Sequence, residues 1–255
     1  MIETTVYFDG NDLSQLDGIS IFDHDFNMLP DRDIKINKLA RADRSIITSA
    51  EYTSKPITVQ GMAEACDRYD AEEAFQNLRS FLQRPNRTLL VVQGASTLQY
   101  TATLSSDSYK WIANNLMFTL EFTASDPIGY ESTTTDEGST NITTASQSIA
   151  FDVEGSFKAL PVITFDINSV TGGTSAAVTI QNSRTGQGIT LTRTWTAADI
   201  AIIDSYEKTV TINGADSDFT GTFPTFDPGS QIISYTDAFT TRSVDVAVEY
   251  VKRFV

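Results

Sequence analysis

The stretch DAEEAFQNLRSFLQRP, Asp70 to Pro85, decides the fold because it is the only convincing amphipathic helix in 255 residues. Its apolar residues recur at the spacing of one helical face, and they are Ala74, Phe75, Leu78, Phe81 and Leu82. Asp70 is the predicted N-cap, Glu73 completes a capping box, and Pro85 stops the helix. We therefore predict a helix over residues 70–84 whose apolar face needs a sheet to cover it.

The rest of the chain predicts short strands, in which apolar and polar residues alternate between turn signals. Residues 88–93 and 98–104 have the pattern of a hairpin, and residues 116–123 that of a further strand. The dipeptides Asp9-Gly10 and Asn213-Gly214 favour the type I′ turns of tight hairpins. The predicted fold class is mainly β with one α-helix.

Composition divides the chain into three parts. Residues 1–130 carry about six predicted strands and the helix, which indicates an N-terminal β-sandwich-like domain. Residues 131–148 are mostly Ser, Thr and acidic residues, which predicts a linker or an exposed loop. Residues 149–255 carry about eight short strands, the pattern of a second β-sandwich or jelly roll.

The chain is acidic, with a formal net charge of −15. Residues 1–130 hold 11 Lys and Arg against 18 Asp and Glu, and residues 131–255 hold 7 against 15. Because phosphate backbones are bound by clustered cations, this balance argues against specific nucleic-acid binding. One basic cluster is interrupted by three Asp residues and is interpreted as a solvated surface; it comprises Arg32, Lys35, Lys38, Arg41 and Arg44.

The sequence indicates a soluble protein made in a cytoplasm. No apolar run approaches the roughly 20 residues of a membrane span, and the N-terminus lacks the features of a secretory signal. Cys66 is the single cysteine, which excludes an intrachain disulfide and a thiol-rich metal site.

No residue pattern identifies catalytic, cofactor-binding or metal-binding residues. His24 is the only histidine and lies between Asp23 and Asp25, but adjacent strand residues point to opposite faces, so we interpret it as a surface or strand-edge residue. Cys66 is interpreted as a buried or semi-buried small residue instead of a nucleophile. Trp111 and Trp195 are each interpreted as packing residues, with stacking on a sugar ring as the alternative.

Several fragments, each ordinary strand or turn chemistry, recur in a specific order. In the first part they are YFDG (7–10), ARADRSII (40–47), KPITVQG (55–61), LRSFL (78–82), YTATL (100–104) and FTASDPIGY (122–130). In the second part they are PVIT (161–164), TGQ (185–187), ID (203–204), VTING (210–214), FP (223–224), PGS (228–230) and VEY (248–250). Together they resemble the distal tail protein of long-tailed, non-contractile bacteriophages over nearly the whole chain.

This resemblance implies a structural virion protein at the tail tip, without enzymatic activity. It implies a helix-bearing β-sandwich followed by a galectin-like β-sandwich, assembled as a hexameric ring that joins the tail tube to the tip or baseplate. The implied partners are the tail tube protein, the tape measure protein, the tail-associated hub protein and receptor-binding proteins. Two features depart from the family pattern: Arg44 stands where glycine is expected, and the second domain has Trp195 alone and no histidine, which argues against lectin activity.

Two other functions and one electrostatic hypothesis follow from the same residues. A carbohydrate-binding module for host attachment would need an open groove with Trp195 or exposed tyrosines beside polar groups. An enzyme attacking cell-wall glycan would need two carboxylates about 5 to 10 Å apart in a cleft. If the first domain lines a channel for the genome, its net negative charge would repel DNA and prevent sticking.

Overall fold

The computed structural model describes residues 4–25, 30, 32–38, 45–93 and 96–255. The chain divides into two units, Met1–Ser132 together with Val255, and Thr133–Phe254. Arg41, Arg44 and the fragment at 40–44 lie outside the described residues, and so do the predictions made for them.

The first unit contains the strands that precede and follow the helix, and one long strand continues into the second unit. They are β1 (Thr4–Phe8), β2 (Asn11–Asp12), β3 (Ile19–Asp25), β4 (Arg32–Lys38), β5 (Ser45–Tyr52), β6 (Lys55–Ala63), α1 (Arg68–Leu82), β7 (Arg87–Gln93), β8 (Ser96–Ile112), β9 (Asn115–Ala124) and β10 (Gly129–Ile142). A 3₁₀ turn occupies Leu13–Gln15.

Strand β8 belongs to two antiparallel sets of strands in the first unit. Its first part pairs with β7, which pairs with β1, and β1 pairs with β2. Its second part pairs with β9, which pairs with β6, and β6 pairs with β3. The two parts meet at Ala102, and the pairing with β9 shifts register between Leu104 and Ser106, as expected where a bulge bends a strand.

The N-cap of the helix α1 lies three residues before the predicted N-cap. Asp67 is the N-cap, and its Oδ1 accepts hydrogen bonds from the N–H groups of Tyr69 and Asp70 at 2.9 and 3.0 Å. The predicted cap at Asp70 is therefore wrong, and Asp70 lies in the first turn. Both positions carry an Asp. With Asp67 as the cap, three helical residues precede Ala71, which is buried on the same face as Phe75. The helix ends at Leu82, before the predicted end at residue 84.

The apolar face of α1 is covered by the sheet, as the sequence predicts. Phe75, Leu78 and Leu82 are buried, and Phe75 stacks on Phe118 of β9 with ring centroids 5.3 Å apart. A Cβ on Gly61 of β6 would lie 2.5 Å from the Phe118 ring and 2.6 Å from the Ser20 carbonyl. Only glycine therefore leaves room for the ring that supports the helix.

The segment predicted as a linker, residues 131–148, is instead mostly strand. β10 continues to Ile142, and β11 begins at Ser146. Most side chains of β10 are exposed, so the polar composition reports exposure and not the absence of regular structure. Thr is β-branched and suits a strand whose outer face meets solvent, and Asn141 Nδ2 donates to Asp245 Oδ1 at 2.6 Å.

The second unit is built from strands throughout. They are the later part of β10, then β11 (Ser146–Val153), β12 (Val162–Thr171), β13 (Ala176–Asn182), β14 (Gly188–Arg193), β15 (Ile200–Asp204), β16 (Thr209–Ile212), β17 (Ala215–Asp216), β18 (Thr220–Gly221), β19 (Gly229–Asp237) and β20 (Thr241–Phe254).

These strands form two sheets with one apolar core. One sheet has the order β17-β16-β15-β12-β20-β10, and the other has the order β11-β19-β13-β14-β18. Buried side chains from both sheets form a single cluster that includes Phe165, Ile180, Val246 and Tyr235. The predicted fold class, mainly β with one helix in the first part and a β-sandwich in the second, is confirmed.

Candidate assembly surfaces and a basic cavity

The strands β4 and β5 form a two-stranded ribbon that pairs with no other strand among the described residues. Its side chains at residues 32–35 are exposed, and Ile34 keeps 48% of its surface in solvent. The guanidinium of Arg32 lies 4.5 Å from the ring centroid of Tyr52 across the ribbon and also hydrogen-bonds its hydroxyl. A ribbon of two strands has little stability of its own in water and offers free backbone edges to another chain.

The second unit also presents apolar side chains to solvent. Along β15, Ala201 and Ile203 are buried whereas Ile200 and Ile202 are exposed. Strand alternation therefore points one pair into the core and the other pair outward. On β19, Ile232 is exposed in the same way. Adjacent exposed isoleucines in an acidic protein are candidates for burial against another chain.

The second unit contains an open cavity of about 560 Å³ whose walls come from five stretches of the chain. The lining includes cationic, hydroxyl and aromatic side chains: Phe157, Lys158, Ser205, Tyr206, Lys208, Phe219, Phe223 and Arg253. Local contacts fix this geometry. The Asp204 carboxylate accepts hydrogen bonds from the N–H groups of Tyr206 and Glu207 at 2.8 and 2.9 Å, and this turn holds Tyr206 and Lys208 at the rim.

The opposite wall of the cavity is held by aromatic and cationic contacts. Arg253 donates from Nη1 to the Lys158 carbonyl at 3.2 Å, and its guanidinium lies 5.3 Å from the Phe157 ring centroid. Phe219 meets Phe223 edge to face, with centroids 5.1 Å apart. Sequence reasoning missed this site because its residues are far apart in the chain and none belongs to a motif.

The single histidine is half-buried on β3, which pairs only with β6 among the described strands. This position agrees with the interpretation of His24 as a strand-edge residue. Burial lowers the pKa of His24, although the neighbouring Asp23 and Asp25 act in the opposite direction. Across the described residues, no group of three or more His, Cys, Asp or Glu side chains is arranged to hold a metal ion.

The interpretation of Cys66 as buried or semi-buried is wrong, because the side chain is exposed. Cys66 directly precedes the helix cap at Asp67, where the chain turns outward to begin α1. Its carbonyl accepts a hydrogen bond from Asn114 Nδ2 at 3.2 Å. The backbone is therefore anchored at this residue while the thiol faces solvent.

The two tryptophans have different surroundings. Trp195 is 3% exposed, and its indole N–H donates to the Ala176 carbonyl at 2.9 Å. It therefore packs in the core of the second unit and offers no stacking face, as the packing interpretation predicts. Trp111 is partly buried against the core of the first unit, with the Arg68 guanidinium 5.2 Å from its ring centroid.

No helix within the described ranges is long and apolar enough to span a bilayer.

Comparison with known proteins finds a family model that matches part of the second unit. Residues 154–254 match the family described as siphovirus-type tail component, C-terminal domain. No curated protein matches the chain significantly.

Solved structures extend the likeness to the whole chain. The chain is similar to the SPP1 Dit (gp 19.1) protein, described as a paradigm of the hub adsorption apparatus in phages infecting Gram-positive hosts. The TM-score is 0.70 at 16% identity, covering 99% of this chain and 100% of that one. A chain of the phage P2 baseplate, in its activated conformation with Ca, gives a TM-score of 0.41 at 10% identity, covering 97% and 98%.

The Dit structure shows the fold of the chain, and the family match covers most of the second unit. The predicted resemblance to siphophage distal tail proteins is therefore confirmed. The family match and the Dit structure together support a structural protein of a phage tail.

Proposed function

We propose that this protein is the distal tail hub of a long-tailed phage, forming a hexameric ring that joins the tail tube to the tail tip or baseplate. The fold shared with a Dit hub protein supports this role, and so does the family match of residues 154–254. The subunit number comes from the resemblance. The protein acts by assembly and not by catalysis, at the virion tail tip after synthesis in the host cytoplasm.

The observation that carries self-assembly is the ribbon of β4 and β5. Its strands pair only with each other in the described chain, and Ile34 is half-exposed on it. A neighbouring subunit that covers the ribbon would bury Ile34 and satisfy free backbone groups at its edges. Closed rings of identical subunits provide such a neighbour to every copy.

The partners follow from this position in the tail. The ring contacts the tail tube protein on one side and the tail-associated hub protein on the other, the tape measure protein passes through it, and receptor-binding proteins attach at its periphery. The charge of −7 on residues 1–130 suits a channel wall that repels DNA phosphates. Neither membrane binding nor specific nucleic-acid binding is part of this role.

The test is the assembly state of the purified full-length chain. Light scattering and electron microscopy are expected to reveal six subunits, or a multiple, in a ring with a central hole. Ile34→Asp is expected to shift the protein toward monomers, because a charge would be buried in the contact. Ile112→Asp is the matched control and should retain the ring, because Ile112 lies outside the ribbon, in the same unit, and is also 48% exposed. A strict monomer at all concentrations would contradict the proposal.

A carbohydrate-binding module is the second candidate function. A sugar-binding groove built around Trp195 is not supported, since that side chain is buried. The cavity beside the exposed Tyr206 supplies the open groove with polar groups that this function needs.

A further inference from the structure

The cavity of the second unit has a charge opposite to that of the protein around it. The chain has 18 Lys and Arg against 33 Asp and Glu, yet the described lining includes Lys158, Lys208 and Arg253 and no acidic residue. Lys158 and Lys208 are exposed, and neither forms an ion pair within the described part of the chain. An anion entering the cavity therefore meets two unpaired ammonium groups.

Apolar ring faces accompany these cations. Tyr206 is 60% exposed and Phe219 is 38% exposed at the cavity. Phe223 packs on Phe219 with an interplanar angle of 68°, which fixes Phe219 and leaves a single ring face instead of a parallel slot. A single exposed aromatic face can pack against the C–H face of a sugar ring.

One buried polar atom of the cavity lacks a partner. Ser205 lines the cavity, and its Oγ is buried without a hydrogen-bond partner in the described residues. A buried hydroxyl without a partner is unfavourable, and a ligand oxygen that reaches the floor of the cavity would satisfy it. The volume of about 560 Å³ falls within the usual range for small-molecule sites.

A peptide strand fits this cavity less well. The edge strand that lines the cavity, through Gly221, is β18, which consists only of Thr220 and Gly221. Strand addition uses a run of backbone groups along an edge, and two residues provide very few of them. The favoured ligand is therefore compact, contains a ring and carries an anion.

We propose that the cavity lined by Lys158, Lys208, Tyr206 and Phe219 binds a saccharide unit that carries a phosphate or carboxylate group. The anion lies between the two lysines, and the sugar ring packs on Tyr206 or Phe219. This site belongs to the second unit, whereas the ribbon belongs to the first. Its function is recognition of anionic glycan, whether as a free sugar or as a unit of a polymer.

Titration calorimetry of the full-length protein at low salt tests this assignment. Glucose 6-phosphate and glucuronic acid are expected to bind saturably and at least about tenfold more tightly than glucose, with affinity falling as salt screens the lysines. Inorganic phosphate should bind more weakly than glucose 6-phosphate, because it lacks the ring. Comparing the free sugar with a phosphate-bearing glycan polymer distinguishes the two sources of the ligand.

Variants locate the binding. The double variant Lys158→Gln/Lys208→Gln should lose at least about tenfold in affinity for glucose 6-phosphate, and Tyr206→Ala should weaken it further. Lys110→Gln, an exposed lysine of the first unit, is the matched control and should change nothing. All three changed side chains of the cavity are exposed, and circular dichroism verifies folding.

Several results would overturn the assignment. They are no saturable binding of either anionic sugar, equal binding of glucose, tighter binding of adenosine monophosphate, binding only of an acidic peptide such as Glu-Glu-Phe-Glu, and an unchanged affinity in the double lysine variant. Light scattering on the same samples reports ring assembly independently. A failure of sugar binding is therefore distinguishable from a failure of the proposed hub function.

Discussion

The two units cover their apolar cores in different ways. In the first unit α1 covers the sheet, with Phe75 stacked on Phe118, and the long strand β8 serves two sets of strands. In the second unit two sheets cover each other, and the core is shared among many side chains from both sheets. This difference indicates that the stability of the first unit depends strongly on a few contacts of one helix. The stability of the second unit depends on many contacts between its two sheets.

The largest expected effect comes from Phe75→Ala. Removing a fully buried aromatic side chain typically lowers the free energy of unfolding by about 3 to 5 kcal/mol. Urea unfolding followed by tryptophan fluorescence separates the units, because Trp111 lies in the first and Trp195 in the second. In a Trp195→Phe background the transition of the first unit should move to lower urea. In a Trp111→Phe background the second unit should be unaffected.

The matched control is Phe22→Ala, since Phe22 is about half-exposed in the same unit. Its effect should stay within about 0.5 kcal/mol. An equal shift of both tryptophan transitions after Phe75→Ala would contradict the separate stability of the units.

A smaller effect is expected at alkaline pH in the first unit. Burial raises the pKa of Tyr100 from its usual 10 to about 12. Because the folded pKa lies above the unfolded one, this contribution is fully present below about pH 10 and is lost as the pH rises toward 12. The loss is about 2 to 3 kcal/mol. Tyr100→Phe should flatten this part of the stability profile, measured by urea unfolding from pH 9 to 12.

The change in slope is the quantity to compare for Tyr100. Its hydroxyl lies 3.2 Å from Lys55 Nζ, so Tyr100→Phe also costs some stability at neutral pH. Burial lowers the pKa of Lys55. Between the folded and the unfolded pKa of Lys55, its titration therefore raises the free energy of unfolding as the pH rises, opposite to the effect of Tyr100. An unchanged slope between pH 10 and 12 in the variant would count against the buried tyrosine as its source.

The smallest expected effect tests the helix cap. Asp67→Ala should lower the free energy of unfolding of the first unit by about 1 kcal/mol, because the N–H groups of Tyr69 and Asp70 lose their acceptor. Asp70→Ala should have a smaller effect, limited to the helix dipole. A larger loss of stability in Asp70→Ala than in Asp67→Ala, measured by urea unfolding, would identify Asp70 as the cap.

Much of the fold follows from sequence periodicity. The face formed by Phe75, Leu78 and Leu82 was predictable because helical spacing and sheet cover are both local signals. The turns at Asp9-Gly10 and Asn213-Gly214 have positive φ at both residues and connect paired strands, as type I′ chemistry requires. These features need no knowledge of distant residues.

The candidate sites were much less predictable. The cavity joins Lys158, Tyr206, Phe219 and Arg253, which come together only through the pairing of distant strands. The polar composition of residues 131–148 led to the wrong prediction of a linker or loop, because composition reports exposure and cannot distinguish an outer strand from a loop. The cap at Asp67 was missed because the pattern Asp-x-x-Glu at Asp70 satisfies the same rule.

The shared strand β8 has a mechanical consequence. Its residues 96–102 are hydrogen-bonded to β7, and residues 102–112 to β9, so a pull that parts the two sets of strands acts along one continuous backbone. Hydrogen bonds between two strands bear the load together when the force acts along the strands. They break one after another when the strands are peeled apart from one end. A force applied across the first unit would therefore be transmitted through β8 before the two sets of strands separate.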